Sequence, residues 1–131
     1  MLGMKGLEFI LLAVGAVVGA YLRYRIVESP ITIGNLPVNV LIVNVLGSFI
    51  LGLFSVFSLY FNLDAKYTLF MAVGFCGSFT TMSSFELETA NLMDSHRLGL
   101  AALDIAANVG LSFVSVIVGR LLGTVIVERL I

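Results

Sequence analysis

The sequence predicts an all-α membrane protein of four transmembrane helices, with a broken third helix weighed against a continuous one. Three observations carry this. Hydrophobic residues make up 60% of the 131 residues and charged residues only 11%, against soluble averages of roughly 45–50% and about 25%. The few charges divide the chain into four apolar runs. The third run carries glycines and hydroxyl residues where the middle of a span would fall. With a mean hydropathy of +1.11, a chain this short cannot hide its apolar surface from water, so its solvent is lipid.

The first run lies between Glu8 and Arg23 and is rich in Val, Ala and Gly. It is short for a span, so Glu8 and Arg23 belong at the interfaces, with Arg23 snorkelling outward. No small-residue cleavage site follows it and further spans do, so it reads as a membrane helix and not as a removable signal. The second run, between Glu28 and Asp64, is broken early by Pro30 and Pro37. The third lies between Lys66 and Glu86. Asp94, His96 and Arg97 mark a polar turn, and the fourth run extends from Leu98 to about Val127, interrupted by Asp104 and Arg120. A bilayer core takes about 20 apolar residues per helix. Helices are therefore expected at about 5–25, 37–61, 66–93 and 98–127, in a single transmembrane domain covering residues 1–131. Residues 26–36 form the one long loop.

Several function classes are excluded by what is missing. The net charge of −1 gives no basic footprint for nucleic acid. A single cysteine, Cys76, and a single histidine, His96, supply neither an intramolecular disulfide nor a thiol or imidazole metal cage. No nucleophile–base set is visible, which argues against an enzyme.

An even number of helices puts both termini on one side of the membrane. Lys5, Lys66 and Arg129 then oppose Arg23, Arg25 and Arg97, with Arg120 embedded or near the first face. Orientation follows the Lys/Arg bias of short loops, and here that bias nearly vanishes. The balance is either a coincidence in a small protein or the mark of a chain that inserts both ways and pairs as an antiparallel dimer. Gly15 and Gly19, Gly47, Ser48 and Gly52, and Gly119 and Gly123 let helix backbones approach closely in lipid, and read as packing positions.

The richest stretch is Gly74-Phe75-Cys76-Gly77-Ser78-Phe79-Thr80-Thr81-Met82-Ser83-Ser84-Phe85-Glu86-Leu87-Glu88. Gly and Thr weaken helix continuity. A break would free backbone carbonyls at mid-membrane, tolerated only where they are buried in protein or line a cavity, and interrupted helices recur at ion sites. Freed carbonyls of two antiparallel copies meeting on a two-fold axis would suit a hard cation such as Na⁺. The alternative is an unbroken helix whose Ser and Thr bond back to their own carbonyls. By helical spacing Thr81, Ser84, Phe85 and Glu88 share a face. Hydroxyls and an aromatic edge, which carries partial positive charge, favour a small anion, whereas an ionised Glu88 would repel one and fits a pore mouth or a structural role. Asn44 on the second helix and Asn108 on the fourth need polar partners in hydrocarbon. Each amide serves either an anion or a neighbouring helix. Asp104, Asn108 and Ser112 follow one another at four-residue spacing. Asp104 is expected near the membrane surface or facing water.

Together these residues resemble the Fluc (CrcB) family of fluoride channels. The resemblance covers essentially the whole chain: Gly15, Gly19-Ala20 and Arg23-Tyr24; Asn44, Gly47-Ser48-Phe49 and Gly52; Gly74-Phe75-Cys76-Gly77, Thr80-Thr81, Ser83-Ser84-Phe85 and Glu88; and Asn108 with Ser112. It implies a dual-topology homodimer in the cell membrane, in contact with lipid, with two antiparallel fluoride pores built from both subunits. A pair with an inverted homologue is the alternative. It also implies a structural Na⁺ at the dimer centre on the carbonyls of Gly77 and Thr80, a pore asparagine at Asn44, and phenylalanine-box positions at Met82 and Phe85. Track hydroxyls fall at Thr81, Ser83, Ser84 and Ser112, and a vestibule arginine at Arg23. The chain departs from the family pattern at Met82, where an aromatic edge is lost to a thioether, and at Asp104, where some members carry an uncharged polar residue. A small four-helix drug exporter is the nearest rival, but no acid lies deep in the first helix for proton exchange. A non-transporting assembly subunit would explain the glycines but not the aligned Asn, Ser and Phe.

Overall fold

The computed structural model describes residues 4–130. Helix α1 (Met4–Val27) leads into a two-stranded hairpin, β1 (Thr32–Ile33) and β2 (Leu36–Pro37), followed by α2 (Asn39–Tyr60). The third span covers Ala65–Asp94 in pieces: α3 (Ala65–Thr68), a π-helical stretch Leu69–Cys76, α4 (Gly77–Phe79) and α5 (Ser83–Asp94). Helix α6 (Leu98–Arg129) closes the bundle. Among the described residues, four helical stretches are long and apolar enough to cross a membrane.

The hairpin replaces the loop expected over residues 26–36. Ile33 pairs with Leu36 in antiparallel register, and Gly34 takes the positive φ of +61° that the tight turn demands. Asn39 ties the segment to the bundle. Its Oδ1 accepts the Ile31 N–H at 2.9 Å, and its amide donates to the carbonyls of Ile26 and Ser29. The other two turns are helix C-caps of one kind. Asn62 (φ 49°) and His96 (φ 59°) sit in the left-handed region. Behind them Leu63 N–H bonds Ser58 O and Arg97 N–H bonds Leu92 O, while Asn62 and His96 bond Leu59 O and Met93 O. This paired pattern satisfies the last carbonyls of α2 and α5. The lone histidine is thus a cap residue.

The glycines fix which helices meet. A side chain at Gly15 or Gly19 would run into the backbone carbonyls of Phe70 and Phe75, so α1 lies flush on the π-helical stretch. Gly52 meets the backbone of Val116, and Gly119 that of Phe49, locking α2 to α6. Close packing of small residues replaces the hydrophobic driving force that lipid abolishes. The bundle gathers polar side chains inside, beside an apolar core that includes Val43, Phe79 and Phe85, and turns large apolar side chains outward. Asn39, Asn44, Thr89, Asp104, Asn108 and Ser115 are buried, while Phe9, Val17, Leu59, Phe113 and Leu121 are exposed.

Candidate functional site: the interrupted third span

Helix α4 ends at Phe79, Thr80 is extended (φ −80°, ψ 158°), and α5 begins at Ser83. The break predicted from the Gly/Thr/Ser cluster therefore falls at residues 80–82. The side chain that holds it open comes from another helix. Asn44 of α2 accepts the Thr81 N–H on Oδ1 at 2.8 Å and returns a hydrogen from Nδ2 to Thr81 O at 3.1 Å, pairing with the peptide as a neighbouring strand would.

Two carbonyls lose their helical donors in consequence. In a continuous helix Thr81 N–H would bond Gly77 O and Ser84 N–H would bond Thr80 O. Here Thr81 N–H goes to Asn44, and Ser84 N–H goes to the Thr81 hydroxyl at 3.1 Å. Gly77 and Thr80 line the same open hollow. Two carbonyl oxygens that lose their helical donors, on residues lining one hollow, are the chemistry a hard cation takes.

That hollow has a volume of about 510 Å³, and Asn44, Thr81, Met82, Phe85, Asn108 and Ser112 line it together with Gly77 and Thr80. Phe85 is 8% exposed and Met82 is 65% exposed, so Met82 stands at the rim. The Ser112 hydroxyl is buried there without a hydrogen-bond partner. A second hollow, of about 490 Å³, lies elsewhere along α5 and takes in Ser84, Glu88, Asn91, Ser95 and Arg97. Glu88 Oε2 is likewise buried and unpartnered. The predicted residues are therefore divided. Asn44, Thr81, Met82, Phe85 and Ser112 converge with Gly77 and Thr80, Ser84 lines the second hollow, and exposed Ser83 lines neither.

Four expectations change. Thr81 does not continue the face of Ser84, Phe85 and Glu88. It lies in the break, where its hydroxyl caps α5. Arg23 does not snorkel outward. Its Nε donates to Ser78 O at 2.9 Å, placing a cation at the carbonyl end of α4, where the helix dipole favours it. Asn44 has no spare hydrogen for an anion, because its second one goes to Asn108 Oδ1 at 2.9 Å. Asp104 does not face water. It is 1% exposed, with Oδ1 accepting from Asn108 Nδ2 at 3.0 Å and Oδ2 lying 2.8 Å from the Thr89 hydroxyl. The spacing of Asp104 and Asn108 signals their pairing on one helix. Nothing local to Thr89 reveals its contact with Asp104, and nothing local to Asn39 reveals its partners Ile26, Ser29 and Ile31, all of which lie on other elements.

Four apolar spans, buried polar side chains and an interrupted third span are those of a small multi-pass membrane protein. The family model described as CrcB-like protein, Camphor Resistance (CrcB), matches residues 10–120, and the chain belongs to this family. It is 56% identical over 126 residues, 96% of this chain and 100% of the relative, to a protein of Nitrosopumilus maritimus named fluoride-specific ion channel FluC. Proteins of the same name from Sulfurihydrogenibium sp. and Methanocaldococcus jannaschii are 46% and 42% identical. They match 88% and 91% of this chain, and 95% and 96% of their own lengths.

Proposed function

We propose that this chain is one half of a fluoride-specific channel of the cell membrane, in which two inverted copies frame two pores and let fluoride leave the cytoplasm passively. The observation that carries the reading is the convergence, on one open hollow, of the break at residues 80–82, the Phe85 ring and the unpartnered Ser112 hydroxyl, in a chain whose relatives bear the names of fluoride channels.

Hydrogen fluoride is a weak acid that crosses lipid as the neutral molecule and dissociates in a more alkaline cytoplasm, which traps the anion. A pore that passes the anion down its electrochemical gradient relieves this. The obstacle is dehydration, and a narrow pore meets it by replacing water with fixed dipoles. The Ser112 and Thr81 hydroxyls and the edge of Phe85 supply them in the first hollow, and Ser84 supplies a further one in the second, with Ser83 exposed between. Asn44 lines the path and holds the Thr81 peptide in place. Met82 occupies the other aromatic-box position with a flexible apolar side chain, and Arg23 stands behind the break as a positive charge toward the vestibule.

The carbonyls of Gly77 and Thr80 from each of two copies would hold Na⁺ at the dimer centre. Bound there, the ion would supply a fixed positive charge and tie the two broken spans together. A homodimer is favoured by the nearly equal Lys/Arg count on the two sides.

The test is fluoride-electrode efflux from liposomes containing purified protein, with chloride as control. Rapid fluoride release without chloride release is the expected result. Equal release of both ions, or of neither, would overturn the reading.

A further inference from the structure

Asn44 does not act alone on the break. From Thr81 a continuous run of hydrogen bonds passes through Asn44 on α2 to Asn108 on α6 and ends on Asp104, one turn earlier on the same helix. Asn44 Nδ2 donates to Asn108 Oδ1 at 2.9 Å, and Asn108 Nδ2 donates to Asp104 Oδ1 and to Asp104 O, both at 3.0 Å. Beyond Asp104 the Thr89 hydroxyl completes the link to α5, lying 2.8 Å from Oδ2 and 3.0 Å from Phe85 O.

We infer that Asp104 is a positioning residue for conduction: through Asn108 and Asn44 it fixes the orientation of the Thr81 peptide and hence the pore lining at the break. The reason is the polarity of amides. A carboxamide has a donor end and an acceptor end, and a buried one is stable only when each end meets its complement. Asp104 Oδ1 and the Asp104 carbonyl are two acceptors side by side. They require the NH₂ of Asn108, which turns Asn108 Oδ1 toward Asn44. Asn44 must then offer its NH₂ to Asn108 and keep Oδ1 for the Thr81 N–H. Asn108 and Asp104 are 4% and 1% exposed, so water cannot repair a mismatch. The proposal rests on the fluoride-channel reading for its consequence, but not for its geometry.

Complementarity makes a sign-specific prediction. Asn108→Asp sets a second carboxylate against the two acceptors of Asp104, and fluoride efflux should fall on the order of tenfold or more. Asp104→Asn alone exchanges a carboxylate that can only accept for an amide that can turn either end to Asn108, and efflux should fall by a smaller factor than in Asn108→Asp. Combined, Asp104→Asn should rescue Asn108→Asp, its NH₂ turning to the new carboxylate. Hydrogen–deuterium exchange of the peptide spanning residues 80–83 should rise in Asn108→Asp and return in the double variant, a readout independent of transport. If Asn108→Asp fails to fold while the double variant folds, the rescue is read in stability and supports the proposal. A double variant no better than Asn108→Asp, or an Asn108→Asp protein with parental exchange, overturns it. A parent that passes no fluoride overturns the channel reading alone, and the exchange data still judge the relay.

Discussion

Asn44 pairs with the backbone of Thr81 through both peptide groups that flank that residue, 2.8 Å from its N–H and 3.1 Å from its carbonyl. This contact separates α4 from α5. Without it the Thr81 N–H is free to return to Gly77 O, and the break rests on the weak helix propensity of the Thr residues and the Thr81 hydroxyl cap alone.

Asn44→Asp keeps the acceptor for Thr81 N–H but turns an anionic oxygen toward Thr81 O and Asn108 Oδ1, where Nδ2 donated. Fluoride efflux from liposomes should drop by roughly tenfold or more. Parental rates in this variant would remove Asn44 from the pore's construction.

Ser112→Ala deletes a hydroxyl that is buried without a hydrogen-bond partner in the first hollow. Its loss breaks no hydrogen bond and should not lower the thermal midpoint, while fluoride release slows several-fold. The split between unchanged melting and reduced flux is the signature of a group kept for the ion.

Phe85→Ile removes the buried ring of the first hollow, and flux should fall below the detection of a fluoride electrode. Met82→Phe, at the exposed rim, has room for a ring and adds an aromatic edge. It should conduct at least as fast as the parent. Loss of flux in Met82→Phe would show that the thioether is needed there.

Gly119→Val drives a side chain into the Phe49 carbonyl across the α2–α6 contact. Overpacking of this kind costs about 1–3 kcal/mol, which should appear as a lowered thermal midpoint and aggregation on size exclusion. The same change at Gly110, which faces open space, should cost far less.

Four spans, their apolar exterior and an interruption in the third were legible in the sequence, because each depends on composition and local propensity. Lipid demands long apolar runs bounded by charges, and Thr80 and Thr81 support a helix less well than Leu or Ala would. The cap residues Asn62 and His96 and the hairpin turn at Gly34 are local too, though their signals are weak beside those of the spans. The tertiary structure alone decided what the polar residues do. Arg23 turns to Ser78 O, Asn39 closes the hairpin, and Asp104 sinks to the end of a relay instead of meeting water. Hydrocarbon offers a buried polar group no solvent, so its role is set by whichever complementary atom packing brings within about 3 Å. For Arg23 and Asn44 that partner lies 55 and 37 residues away along the chain, beyond the reach of any local pattern.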